Sequence, residues 1–102
     1  MEQHTIILSL RSLKSKYEKE GLIIEGLFGS YARGDTDKNS DIDILIHTEP
    51  KFTQTYGMRS IRRLNEIKQE LSDYFNIPVD LASSSGMGQS AKKFILEKAI
   101  YI

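Results

Sequence analysis

Twelve residues, Gly29 to Ser40, separate two short runs, Leu22-Ile23-Ile24-Glu25-Gly26-Leu27-Phe28 and Asp41-Ile42-Asp43-Ile44-Leu45-Ile46-His47. Each run is rich in branched and aromatic residues and too short to pay for itself as a buried helix, so each reads as a strand. A parallel crossover needs a dozen or more residues, most often a whole helix. The connecting GSYARGDTDKNS sits at that limit and is polar and turn-rich after its first few residues. The two strands are therefore expected to pair antiparallel, inside a mixed sheet. A third run, Ile77-Pro78-Val79-Asp80-Leu81-Ala82, also reads as a strand. Its Pro78 places it near a sheet edge or at a strand start. Ile100 to Ile102 is expected to add a short edge strand.

Helical periodicity fills the intervals. Ile6, Leu10, Leu13 and Tyr17 form one apolar stripe, with Arg11, Lys14, Lys16 and Glu18 on the wet side. Gly21 closes this helix. Ser30 is suited to cap a short helical turn over Tyr31–Arg33. From Thr53 to Phe75, the residues Ile61, Leu64, Lys68, Leu71 and Phe75 recur on one side of a single long helix, ended by Asn76. Lys68 is the one polar intrusion in that stripe. The segment 83–90, SSSGMGQS, reads as a connector, and 91–99 as a last helix. The fold class expected is α/β in the α+β sense: a small mixed sheet of three to four strands flanked by helices. A chain of 102 residues is expected to be a single domain, 1–102.

Fourteen basic residues balance fourteen acidic ones, so the net charge is zero. A non-specific nucleic-acid binder needs a basic excess, and direct DNA binding is not expected. There is no cysteine, so neither a disulfide nor a thiolate metal site exists. The first twenty residues lack the pattern of a signal peptide. No apolar run approaches the ~20 residues that span a bilayer. A cytoplasmic setting, with no membrane contact, is the expectation.

The residues that point to chemistry are Asp41, Asp43, Gly29 and Ser30. Strand alternation puts the carboxylates of Asp41 and Asp43 on one face, where they repel each other and lose hydration if buried. A divalent cation neutralises such a pair, and oxygen-only ligands favour Mg²⁺ over Zn²⁺. In isolation the pair is also compatible with a solvated strand entrance. Gly29-Ser30 follows a buried strand and opens a helical turn, where glycine lets a phosphate approach the backbone and free N–H groups attract it. A phosphate cradle beside paired carboxylates is what phosphoryl or nucleotidyl transfer requires.

Gly29-Ser30, ten residues, then Asp41-Ile42-Asp43 reads as G-S-x10-D-x-D. This resembles the signature of the polymerase-β-type nucleotidyltransferase superfamily. The fuller string GSYARGDTDKNSDIDILI resembles the minimal nucleotidyltransferases, which accompany HEPN-domain partners. The resemblance implies a third carboxylate on a later strand, and Asp80 stands at the matching place. It further implies that Asp41, Asp43 and Asp80 form the catalytic set and hold two Mg²⁺ ions. Gly29 and Ser30 would hold the nucleotide phosphates. Arg33 would contact phosphate oxygens or, alternatively, bridge to a loop aspartate. The implied function is Mg²⁺-dependent transfer of AMP from ATP to a tyrosine of a HEPN-domain toxin, in a hetero-oligomeric toxin–antitoxin pair. Two other readings stand beside it: an antitoxin acting by binding alone with a vestigial site, and an enzyme modifying a small molecule or an RNA end. Asp35 and Asp37 read as turn residues, and Arg59, Arg62 and Arg63 as a wet helix face. His4 and His47 show no metal-ligand spacing. Tyr31 is expected to pack in the core.

Overall fold

The computed structural model describes residues 2–83 and 99–102. The chain runs α1 (Gln3–Glu18), β1 (Leu22–Phe28), α2 (Gly29–Arg33), β2 (Ile42–Thr48), α3 (Pro50–Tyr56), a 3-10 turn (Gly57–Arg59), α4 (Ser60–Phe75), β3 (Val79–Ser83) and β4 (Ile100–Tyr101). The connector expected over 83–90 lies outside the described residues beyond Ser83. The helix expected over 91–99 lies outside them except for Ala99.

Four strands form one mixed sheet in the order β3-β2-β1-β4. β1 and β2 are antiparallel, from Leu22↔Thr48 at one end to Phe28↔Asp43 at the other. The short connection between them allows no other arrangement without strain. β2 and β3 are parallel, with Asp43 opposite Asp80, and α3 and α4 supply the crossover. β4 pairs antiparallel with β1 at the other edge. The pairing of β1 shifts at Glu25, a bulge between Ile24 and Gly26.

Alternate residues of the central strands, Leu22, Ile24, Leu27, Ile42, Ile44 and Ile46, face one core with Ile6, Leu10 and Tyr17 of α1 and Ile67, Leu71 and Phe75 of α4. Burying each such aliphatic chain contributes ~1.5–3 kcal/mol, so this shared face holds the layer of helices on the sheet. Tyr31 is buried in the same core, as its place in the sequence suggests.

Three local expectations are corrected. The continuous helix over Thr53–Phe75 is broken: α3 begins at Pro50 and ends at Gly57, whose φ of 54° and ψ of −126° lie where side-chain-bearing residues are strained. The whole of the expected stripe, Ile61 to Phe75, lies in α4 after the break, so the periodicity carries no information about it. Ile61, just past this corner, is 74% exposed rather than buried. Ser30 does not cap α2. The helix starts at Gly29, Phe28 occupies the cap position, and no side chain caps it. Asn76, by contrast, ends α4 in a left-handed conformation, as expected of that residue type.

Candidate active site

The end of β1 and the start of β2 meet at Phe28↔Asp43, and there the strand turns into α2. Gly29 makes that turn with φ of 73°. A Cβ at Gly29 would lie 2.2 Å from Oδ2 of Asp43. The backbone of residue 29 therefore lies directly against the Asp43 carboxylate, and only glycine permits both the torsion and the approach. Ser30 is the second residue of α2, and its carbonyl accepts the Gly34 and Asp35 N–H groups that close the short helix. At the far end of α1, the Gln3 side-chain amide donates to the carbonyls of Tyr31 and Ala32, at 2.8 and 3.0 Å. These bonds satisfy C-terminal carbonyls of α2 and fix its orientation.

Asp43 is half-buried on β2, and its neighbour in register is Asp80 on β3. Asp41 is exposed and immediately precedes β2. Burial pushes the Asp43 carboxyl above the usual carboxylate range; the negative charges of Asp80 and Asp41 push it further, and Arg33 partly offsets them. The three aspartates named from the sequence thus act on one another at the same end of the sheet. Among the described residues, no three His, Asp or Glu side chains are arranged closely enough to hold a metal. Asp80 Oδ1 instead lies 3.5 Å from Lys68 Nζ of α4, in a pair that is half-exposed on both sides. Arg33 Nε donates to Asp35 Oδ2 at 3.2 Å, so it takes the loop-aspartate arrangement of its two expected ones. Asp37 organises its own turn, accepting from the Asn39 N–H. His4 is exposed, and His47 meets Glu25 at 2.7 Å, far down β2 from Asp43.

A carboxylate held partly dehydrated against two others, beside a backbone turn open to close approach, suits a cation with oxygen ligands and an anionic phosphate next to it. The donor set is all oxygen, and burial together with the charges of Asp80 and Asp41 makes an ionised Asp43 unfavourable. The oxygen chemistry of Asp41, Asp43 and Asp80 suits a Mg²⁺-type ion, while their side chains as placed are not gathered closely enough to hold one.

The sequence did not reveal a second polar cluster, at the opposite end of the sheet. Arg63 donates to both carboxylate oxygens of Glu20, each at 2.7 Å, and to Glu70 at 2.8 Å. Tyr17 donates to Glu70, and Tyr56 to Glu20. Arg63 is thus a hub and not part of a wet face, whereas Arg59 and Arg62 are exposed. Arg63 and Glu20 are 43 residues apart in the chain, a separation that no local pattern signals.

A mixed four-stranded sheet with helices on its core face and carboxylates on adjacent strands at one end defines a nucleotidyltransferase-type enzyme. The chain belongs to the family described as nucleotidyltransferase domain, which it matches over residues 8–102. It is 39% identical over 93 residues to a Methanocaldococcus jannaschii protein provisionally named a protein adenylyltransferase, covering 90% of this chain and 85% of that one. It is 29% identical over 89 residues to the protein adenylyltransferase MntA of Thermococcus cleftensis, covering 87% and 83%. A solved structure provisionally described as a minimal nucleotidyltransferase superposes with a TM-score of 0.76 at 26% identity, covering 100% of this chain and 97% of that one. A second, a toxin–antitoxin solved with AMP-PNP, shares the fold at a TM-score of 0.61 and 22% identity, covering 99% and 72%.

Proposed function

We propose that this chain, acting as one domain over residues 1–102, transfers AMP from ATP to a tyrosine hydroxyl of a HEPN-domain toxin and so serves as its antitoxin in the cytoplasm. The observation that carries the reading is the electrostatic meeting of Asp43 with Asp80 and Asp41 against the Gly29 backbone. The names of the relatives, protein adenylyltransferases, support AMP as the transferred group and a protein as the acceptor. A protein of the same fold solved as a toxin–antitoxin with AMP-PNP is in keeping with the proposed partner and nucleotide.

In this reading Asp41, Asp43 and Asp80 hold Mg²⁺, which when bound supplies charge neutralisation of the phosphates and acidifies the acceptor hydroxyl. Gly29 and Ser30 bind the β- and γ-phosphates, the backbone N–H groups and the Ser30 hydroxyl donating to phosphate oxygens. Arg33 exchanges Asp35 for phosphate when ATP is present. Asp80, on the edge strand, receives the acceptor's proton. The tyrosine oxygen forms a bond to the α-phosphorus, the bond from that phosphorus to the β-bridging oxygen breaks, and pyrophosphate leaves.

The test is incubation of the purified chain with α-labelled ATP, Mg²⁺ and the product of the adjacent gene, followed by intact-mass analysis. A gain of one or more AMP units on the partner, absent with Asp41→Asn, is expected. A stable complex without label refutes catalysis in favour of inhibition by binding alone. Neither label nor complex removes the partner and leaves small-molecule and RNA acceptors.

A further inference from the structure

A groove of about 220 Å³ lies between α4 and strands β2 and β3, lined by Ile46, Ile61, Leu64 and Leu81, with Lys68 and Asp80 among its polar residues. It touches the candidate active site at Asp80. Ile61 is 74% exposed, and Leu64 and Leu81 are half-buried. Met58, at the corner leading into α4, is fully exposed. Arg59 and Arg62 flank these two apolar residues in sequence, and no ion pair among the described residues engages either guanidinium. Glu20, Glu66 and Glu70 are each paired to Arg63 instead.

Large apolar side chains left in water beside unpaired arginines form the composition of a protein-binding surface rather than a solvated face. The volume decides the kind of occupant. Whole small-molecule ligands occupy pockets of roughly 300–1,000 Å³, so a groove this small suits one side chain of a larger partner. Among the described residues β3 is the strand at this edge of the sheet, the position at which an extended polypeptide can add. The first N–H of that edge, from Val79, is already taken by the Ser72 hydroxyl at 2.9 Å. An incoming segment is therefore held by side-chain burial in the groove more than by strand addition at the Val79 end.

We infer that this groove is the acceptor site: it seats an extended segment of the protein acceptor, with a large apolar side chain between Ile61, Leu64 and Leu81 and the neighbouring hydroxyl delivered to Asp80. Arg59 and Arg62 line a separate recess with Thr55 and Tyr56, and carboxylates of the same partner meet them there. Lys68, paired with Asp80 across the groove floor, closes the passage until the segment enters. The inference rests on the proposed protein adenylylation and adds to it the surface that selects the acceptor.

The experiment measures steady-state AMP transfer to the HEPN-domain partner at varied partner concentration, for wild type, Ile61→Glu and Ile61→Leu, with ATP affinity measured separately by calorimetry. Ile61 is exposed, so neither variant disturbs the core. Ile61→Glu is expected to raise the KM for the partner about tenfold or more, the loss typical of one anchoring side chain. Its kcat at saturating partner and its ATP affinity stay near wild type, and Ile61→Leu restores the KM. An unchanged KM in Ile61→Glu while wild type transfers AMP overturns the groove assignment alone. So does a wild-type dimer that Ile61→Glu splits into monomers without changing KM, which would make the groove a contact between copies of the chain. Absence of transfer by wild type overturns the adenylylation reading itself, and the groove assignment falls with it.

Discussion

Asp43 carries a charge that the fold makes unfavourable. Burial raises its carboxyl, and Asp80 and Asp41 raise it further. A carboxyl with a raised folded-state value is best tolerated at low pH, and its cost grows as pH rises through that value. Asp43→Asn therefore removes a penalty at neutral pH as well as a proposed metal ligand. The variant is expected to lose transfer activity by ~10²-fold or more, as when a preorganised electrostatic group is removed, while its Tm at pH 7 is equal to or above that of wild type. The Tm difference should shrink as pH falls and the wild-type carboxyl takes up its proton; a Tm well below wild type at pH 7 would show that Asp43 supports the fold. Gly29 behaves oppositely. An alanine there meets both a left-handed torsion and Asp43 Oδ2 at 2.2 Å. The torsion alone costs ~1–2 kcal/mol, or roughly 5–10 °C in Tm for a domain of this size. Gly29→Ala is thus expected to lose both stability and ATP binding, measured by thermal unfolding and calorimetry on one sample.

At the scale of elements, the strands were legible because burial on one face writes itself into alternation. Leu22–Phe28 matches β1 to the residue, and the shortness of Gly29–Ser40 dictated the antiparallel pair. The motif that locates Asp41, Asp43 and Gly29-Ser30 lies within that same hairpin-like stretch, so local spacing sufficed to bring them together. The break at Gly57 was not legible from periodicity, because the stripe Ile61 to Phe75 lies wholly within α4 and leaves the chain before it unconstrained. Nor was the Arg63 hub, since its carboxylates come from the end of α1 and from one face of α4. That hub joins the two long helices. Hydrogen bonds from Arg63 lower the Glu20 carboxyl against the opposing effect of burial. At Glu70, burial raises the carboxyl, but the bonds from Arg63 and Tyr17 outweigh it. Both carboxyls are depressed in the folded state, so their contribution is present above the ordinary glutamate value near 4.5 and is lost as pH falls through the lowered values. Arg63→Met leaves both without their main donor and should cost about 2 kcal/mol at pH 7. Unfolding curves of Arg63→Met and wild type should converge as the medium is acidified toward pH 3. A constant gap across that range would assign the loss to packing of the Arg63 stem.

For the molecule as a whole, the hub and the aspartates occupy opposite ends of one sheet. Leu22↔Thr48 marks the first end, beside Glu20, and Phe28↔Asp43 the second. The core lies between them and, among the described residues, contains no buried polar or charged one. No described side-chain nitrogen or oxygen is buried without a hydrogen-bond partner. Stability and proposed chemistry are thereby separated in space. Removing divalent cations with EDTA should abolish transfer while leaving the far-ultraviolet circular dichroism unchanged. Adding Mg²⁺ back should raise Tm with increasing concentration, because a ligand that binds only the folded state stabilises it by RT ln(1 + [L]/Kd). In Asp43→Asn that rise should be weaker or absent, since one ligand is gone and the repulsion that Mg²⁺ would relieve has already been removed. An equal Mg²⁺-dependent rise in both proteins would place the ion elsewhere and withdraw Asp43 from the metal-binding set.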